Sequence, residues 1–192
     1  MRKLFLLVSL CLSSCVTAAT AAKPTVLEIE GEIDGATIIQ SLQHFTVNRG
    51  DVYITIESNG GRVDAAEMLI KMIETRKAAG FTVRCYSTRA VSAAFFIFSY
   101  CSERSVSPYG SFMMHYPFFI GRITLDNIAK WKTALEADRV VMDAWASTIF
   151  KKKAPVIIAS MKAETWYTGA TLCKTFPEFC RIKYKVDWLE AN

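Results

Sequence analysis

Histidine is the scarcest chemically useful residue in this 192-residue chain, which holds two, His44 and His115. With so few imidazoles and no Cys-x-x-Cys among its six cysteines, the chain lacks the ligand spacing of a zinc site. It has no glycine-rich phosphate loop of the kind that cradles ATP, so a nucleotide-driven activity of its own is excluded. Lysines and arginines are scattered apart from Lys151-Lys152-Lys153, and the net charge is a mild +5. No basic stripe interleaved with aromatics runs along the chain, which argues against nucleic acid as a partner. No apolar run reaches the roughly 20 residues that a membrane span requires, and there is neither a low-complexity tract nor an internal repeat beyond an alternation of strands and helices. What is present is a composition 52% hydrophobic and 21% charged. That is the composition of a globular protein, expected as a single domain over residues 23–192, with no cofactor called for.

Residues 1–22 read as an export signal. Arg2-Lys3 supplies the positive start, Leu4 to Leu12 the apolar centre, and Ala19-Thr20-Ala21 a small-x-small cleavage site. Within the same stretch Leu12-Ser13-Ser14-Cys15 resembles the bacterial lipobox, whose cysteine becomes the lipidated first residue. Cleavage after Ala21 and lipidation at Cys15 are alternatives. Both deliver the protein to the periplasm or cell envelope, and only the second attaches it to a membrane. In that oxidising setting Cys85, Cys101, Cys173 and Cys180 can form two disulfides with three connectivities. Cys173 and Cys180 enclose a short turn-like segment containing Pro177 and form the first expected bridge, with Cys85 and Cys101 the second.

Hydrophobic periodicity orders the rest. Thr25 to Ile33 reads as a strand, Ala36 to Phe45 as a helix, and β-branched Val52 to Glu57 as an interior parallel strand, followed by a glycine turn. A long helix beginning near Val63 ends at Gly80, and Phe81 to Tyr86 is the next strand. Ser92 to Tyr100 is a near-continuous apolar helix that must be buried on most sides. Arg104 to Val106 and Ser111 to His115 read as two short strands around the Pro108-Tyr109-Gly110 turn. Thr124 to Phe150 is a long amphipathic helix, longer than so small a sheet needs, so part of it is expected to project towards a neighbouring subunit. A shorter helix (Pro155 to Met161), an extended link (Glu164 to Thr168) and a last strand (Arg181 to Trp188) complete an α/β fold with right-handed crossovers.

Three segments carry chemistry. Ser58-Asn59-Gly60-Gly61 places a side-chain-free pair after a strand, where backbone N–H groups can turn towards a developing oxyanion. Ala90-Val91-Ser92-Ala93-Ala94 puts a hydroxyl at the positive end of an apolar helix. Met113-Met114-His115-Tyr116-Pro117 supplies an imidazole, the usual base for activating such a hydroxyl. Taken singly, each has a bland reading: a turn, a buried hydroxyl bonded to the preceding helical turn, a structural histidine. In open α/β sheets ligands gather at the carboxyl ends of strands, and the glycine pair and the loop before Ser92 both fall there.

Together these segments resemble ClpP, the proteolytic subunit of the Clp protease, and its relatives in the ClpP/crotonase superfamily. The resemblance covers most of the chain from about residue 25 and implies the ClpP/crotonase-like fold of repeated strand-strand-helix units, with a long helix after the catalytic histidine. It also implies a Ser-His-acid triad: Ser92 as nucleophile, His115 as base, and Glu164 where the family carries an aspartate. Gly61 and Ala93 would offer the oxyanion-hole amides, with Gly60 shaping the turn. Asp138 and Asp143, on the long helix, are read as solvated, and Arg62 as pointing to solvent. Asn59 stands where the family usually has proline, and Ala94 where glycine is common. The implied activity is a serine endopeptidase of the cell envelope, homo-oligomeric, acting on peptides or unfolded chains without an ATPase of its own. Alternatives are a catalytically silent oligomeric scaffold or interaction protein, crotonase-type thioester chemistry, and a Ser-Lys dyad.

Overall fold

The computed structural model describes residues 25–118 and 124–180. The expected export signal with Cys15 and the expected strand at 181–188 lie outside the described residues. Four parallel strands and one antiparallel strand make a single sheet in the order β1-β2-β3-β4-β5. These are β1 (Val26–Ile33), β2 (Val52–Gly61), β3 (Val83–Val91), β4 (Glu103–Met113) and β5 (Trp166–Thr168). The connections between the parallel strands are the helices α1 (Gly35–Val47), α2 (Val63–Ala78) and α3 (Ala93–Tyr100). Because each strand is laid down beside its predecessor in one direction, crossovers of one hand stack their helices on one face. In keeping with this, α2 packs on both α1 and α3, and α3 packs on β2 and β3.

The sheet is one-sided. Along β2 the residues Val52, Ile54, Ile56, Ser58 and Gly60 are buried, whereas Glu57 and Asn59 are exposed and Tyr53 and Thr55 half-buried. Val52–Glu57, dense in β-branched residues, is expected as an interior parallel strand, and it is interior in order. Its β-branched and apolar residues nevertheless divide by the period of two, with only one set covered by helices.

Two boundaries differ from the expectations in ways that shape the site. The glycine pair is not a turn after β2 but its last two residues, with Gly60 opposite Glu32 and Gly61 opposite Ile33 after a register shift in β1. Similarly, the two short strands expected around Pro108-Tyr109-Gly110 are one strand, β4. The punctuation read from the sequence survives as a break in its pairing: Ser87 faces Val106 and Arg89 faces Ser111, so residues 107–110 bulge opposite Thr88.

The core is organised around α3, every residue of which is buried. Phe95 stacks near Phe150 and Phe179, Phe96 meets Trp145, and Phe98 meets Phe112 and Phe179. Phe150 and Trp145 come from the long helix α4 (Ile128–Phe150), and Phe179 from a 3-10 turn (Pro177–Phe179) that follows α5 (Ala154–Lys162) and α6 (Gly169–Thr175). The last of these helices was not expected from the sequence, which reads there as a turn. Its seven residues are capped by the Thr168 hydroxyl, which accepts from the Thr171 amide.

Helix α4 is buried only at its far end, through Met142, Trp145, Ala146 and Phe150. Its first half carries no buried residue, and Ile128 stands exposed there, as does Val140 just past the middle. Among the described residues no helix is long and apolar enough to cross a membrane.

Two disulfides join Cys85 to Cys101 and Cys173 to Cys180, with Cα separations of 6.0 and 5.4 Å. The first ties the beginning of β3 to the end of α3. Replacing both partners, Cys85→Ala with Cys101→Ala, is expected to lower the stability to denaturant by about 3 kcal/mol, the scale for a bridge closing a loop of this length. A shift in the urea midpoint at constant slope is the measurement that checks it.

Candidate active site

The site is built where β2, β3 and β4 end side by side. Strand β3 stops at Val91, and the chain reverses into α3 through Ser92, whose φ of 56° and ψ of −127° are outside the regions a side-chain-bearing residue normally adopts. Such backbone costs about 1–3 kcal/mol and persists only where the surroundings over-determine it. Here they do. The Ser92 amide donates to the Met113 carbonyl at 2.8 Å and its carbonyl accepts from the Phe95 amide at 3.0 Å. On the helical side, α3 buries three phenylalanines and an isoleucine, each contributing about 1.5–3 kcal/mol. That burial outweighs the strain several-fold. Ser92 is the N-cap of α3, yet its hydroxyl caps nothing, so Oγ is left for other chemistry at the positive end of the helix.

Gly60 lies directly beneath this elbow. A Cβ on Gly60 would fall 2.7 Å from the Ser92 Cβ, 2.7 Å from the Val91 carbonyl oxygen and 3.1 Å from the Ala93 nitrogen, and its φ is +94°. Only glycine lets β2 approach so closely. Ser58, fully buried, fixes the segment by donating from Oγ to the Gly31 carbonyl (2.6 Å) and accepting from the Gly60 amide (3.0 Å). With that amide occupied, Gly60 is a shaping residue. Ala93, as the first residue of α3, has an N–H with no partner inside its own helix. Asn59 accepts a hydrogen bond from Arg89 at 3.0 Å, which tethers the position where the resemblance would place proline.

His115 follows β4 by two residues and is 7% exposed, its ring lying 5.0 Å from that of Phe118. Burial drives its pKa below the ordinary 6.5, and the Glu164 carboxylate and the Tyr116 backbone act in the opposite direction. The imidazole is therefore unprotonated near pH 7, the state a general base requires, while the same burial weakens its basicity. Glu164 acts on it through its field and makes no hydrogen bond to it among the described residues. It is an exposed residue with φ of 49° in the turn between α5 and β5.

Ser92 and His115 border one cleft of about 530 Å³ together with Asn59 and Gly61. No hydrogen bond joins the hydroxyl to the imidazole, a separation that apo sites often show before substrate closes them. The cleft's apolar wall includes Val63, Phe118, Trp131, Leu135 and Met142, and its charged wall Glu32, Arg62, Asp64 and Asp138. Among the described residues no group of three or more histidine, cysteine or acidic side chains could hold a metal.

Of three charged residues read as solvated, Arg62 is so and the other two are half-buried. Arg62 is exposed but clamped by Asp64, through Nε at 3.0 Å and Nη2 at 2.5 Å. Asp143 accepts from the Tyr116 hydroxyl at 2.6 Å, which fastens the residue after His115 to α4. Asp138 is half-buried on the cleft wall, its pKa raised above the ordinary 3.8 by burial and then by Asp64 and Glu67. Sequence periodicity puts Asp138 on the apolar stripe of α4, three residues after Leu135 and four before Met142, so its carboxylate is a legible anomaly there. Asp143 falls off that stripe, and periodicity gives no sign of its tyrosine partner.

A family model described as Clp protease matches residues 25–175. Among solved structures the chain is similar to a mutant of ClpP1 from Listeria monocytogenes, with a TM-score of 0.65 and 20% identity, covering 78% of this chain and 85% of that one. At that identity the likeness bears on the fold. Compared with curated protein sequences, the chain has no match.

Two outcomes follow from this geometry. The Cε1 proton of His115, followed by NMR, is expected to titrate below pH 6.5, and Glu164→Gln to move the midpoint lower still, because it removes a charge that favours the imidazolium. Gly60→Ala is expected to lower stability by about 2–4 kcal/mol, through both its positive φ and the clash with the Ser92 elbow, read as a fall in thermal midpoint.

Proposed function

This chain belongs to the Clp protease family, and we propose that it is a serine endopeptidase working through Ser92, His115 and Glu164. The observation that carries the proposal is the strained elbow at Ser92, facing the same cleft as a buried, neutral imidazole. Ser92 Oγ attacks the peptide carbonyl while His115 takes its proton. The imidazolium so formed is stabilised by the Glu164 carboxylate and returns the proton to the leaving amine. The oxyanion is met by the amides of Gly61 and Ala93, each worth about 3–4 kcal/mol of barrier by comparison with other oxyanion holes. Water then repeats the sequence on the acyl-enzyme.

The reading extends to setting and assembly. Two disulfides suit an oxidising compartment, in line with export to the periplasm or cell envelope, with Cys15 as anchor if the lipobox is used. The uncovered first half of α4 supports a homo-oligomer in which a neighbouring copy packs on that half. Without an ATPase the substrates are peptides and unfolded chains.

The missing hydrogen bond between Ser92 and His115 favours a second reading, a catalytically silent ClpP-like scaffold. Labelling separates the two. A fluorophosphonate probe is expected to modify the folded wild-type protein and not Ser92→Ala, and His115→Ala is expected to slow labelling by at least about a hundredfold. Labelling of Ser92→Ala equal to wild type, or none of the folded wild type, would falsify the nucleophile assignment. Labelling undiminished in His115→Ala would instead favour a Ser-Lys dyad.

A further inference from the structure

The cleft that holds Ser92 and His115 has a sign opposite to that of the chain. Against a net charge of +5 for the whole sequence, its walls carry, among the described residues, the carboxylates of Glu32, Asp64 and Asp138 and a single cation, Arg62. That cation is paired, its Nε and Nη2 both donating to Asp64. Asp138 differs from its neighbours. Asp64 is answered by Arg62 and Asp143 by the Tyr116 hydroxyl, whereas Asp138 has no hydrogen bond or ion pair among the described residues. It is half-buried, and Asp64 and Glu67, whose fields act on it, are of its own sign. A carboxylate so placed is destabilised until a cation arrives.

The surroundings of Asp138 say what kind of cation fits. On α4 it sits one turn beyond Ala134 and Leu135 and one before Met142, and all three line the same cleft, with Val63 and Trp131 completing an apolar wall. An inorganic ion would gain nothing from such a wall. A lysine or arginine side chain would gain twice, by laying its aliphatic stem along the apolar surface and placing its charged head at the carboxylate. We propose that Asp138 is a specificity residue of this cleft, receiving a basic side chain of the peptide substrate close to the bond that Ser92 attacks. This rests on the peptidase reading above and adds the substrate class to it. Asp138 is a binding residue, not a member of the catalytic group.

The test uses the full-length oxidised protein and fluorogenic peptides that differ in one residue near the scissile bond, lysine, norleucine or glutamate. Norleucine keeps the stem of lysine and lacks its charge. Wild type is expected to prefer lysine over norleucine in kcat/KM by about tenfold or more, the scale of one well-placed charge pair, with glutamate the poorest. Asp138→Asn is expected to bring the lysine to norleucine ratio near one, and Asp138→Lys to invert the order of lysine and glutamate. Thermal midpoints within a few degrees of wild type show that the variants fold. The inference alone is overturned by equal rates for lysine and norleucine peptides, by a preference that survives in Asp138→Asn, or by turnover of none of the peptides while Ser92 is still labelled by the probe. Should the folded wild type fail to label at Ser92, the peptidase reading falls and the inference with it.

Discussion

The approach of the Gly60 backbone to the Ser92 elbow is the contact on which the rest of the site depends. Without a Cβ at residue 60, the end of β2 can lie against Ser92 Cβ and the Val91 carbonyl. This brings the glycine segment, the hydroxyl and the first amide of α3 to the same few ångströms. Three other features exist to hold that contact. The buried Ser58 hydroxyl pins the glycine segment to β1, the Met113 carbonyl holds the Ser92 amide, and the burial of α3 makes the left-handed backbone at Ser92 affordable. His115 enters through the second of these, because the strand that supplies the Met113 carbonyl continues into the imidazole two residues later.

Much of this was legible in the sequence, and the parts that were not have identifiable reasons. Alternation of β-branched and apolar residues with helical stripes gave the strand and helix order from β1 to α4. The small residues flanking Ser92 and the glycine pair marked where the backbone must come close. What periodicity could not show was that β2 runs on through Gly60 and Gly61 and β3 through Val91. Strand ends near a site are set by pairing with neighbours, and Gly61 is held in the sheet by its partner Ile33, not by any propensity of its own. The turn signal at Pro108-Tyr109-Gly110 was read as a break between strands, whereas the chain absorbs it as a bulge within one. Helix α6 was missed because a seven-residue helix has too few turns to display a stripe. The roles of Asp138 and Asp143 were illegible for a different reason. Asp138 interrupts the apolar stripe of α4 between Leu135 and Met142, and only the folded chain shows that the stripe there faces a cleft; Asp143 lies off the stripe, and only the folded chain shows the tyrosine hydroxyl beside it.

The sheet's architecture explains why function concentrates at one rim. Parallel sheets are usually covered on both faces, but among the described residues helices cover one face only, and the other bears Glu57, Asn59 and Arg89 exposed with Tyr53 and Thr55 half-buried. The single covered face is anchored by α3, which also carries the elbow. Packing and the candidate site therefore share one element: the helix that makes the core aromatic cluster is the helix whose N-cap, Ser92, borders the cleft. Substitutions at Phe95, Phe96 or Phe98 would act on both, because the cluster's rings are what keep that helix from relaxing away from the sheet.

The bridge between Cys85 and Cys101 encloses the whole of this element, from the early part of β3, past Ser92, to the end of α3. Ser92 thus sits inside a covalent ring of the chain's own making. A member of the Clp protease family lives among cuts. A single nick between residues 86 and 100 would leave both new ends tied to the body of the molecule, so the pieces could neither diffuse apart nor lose their place in the aromatic cluster. Damage at Arg89, the one exposed residue of that ring, would be survivable in a way it would not be for an open chain.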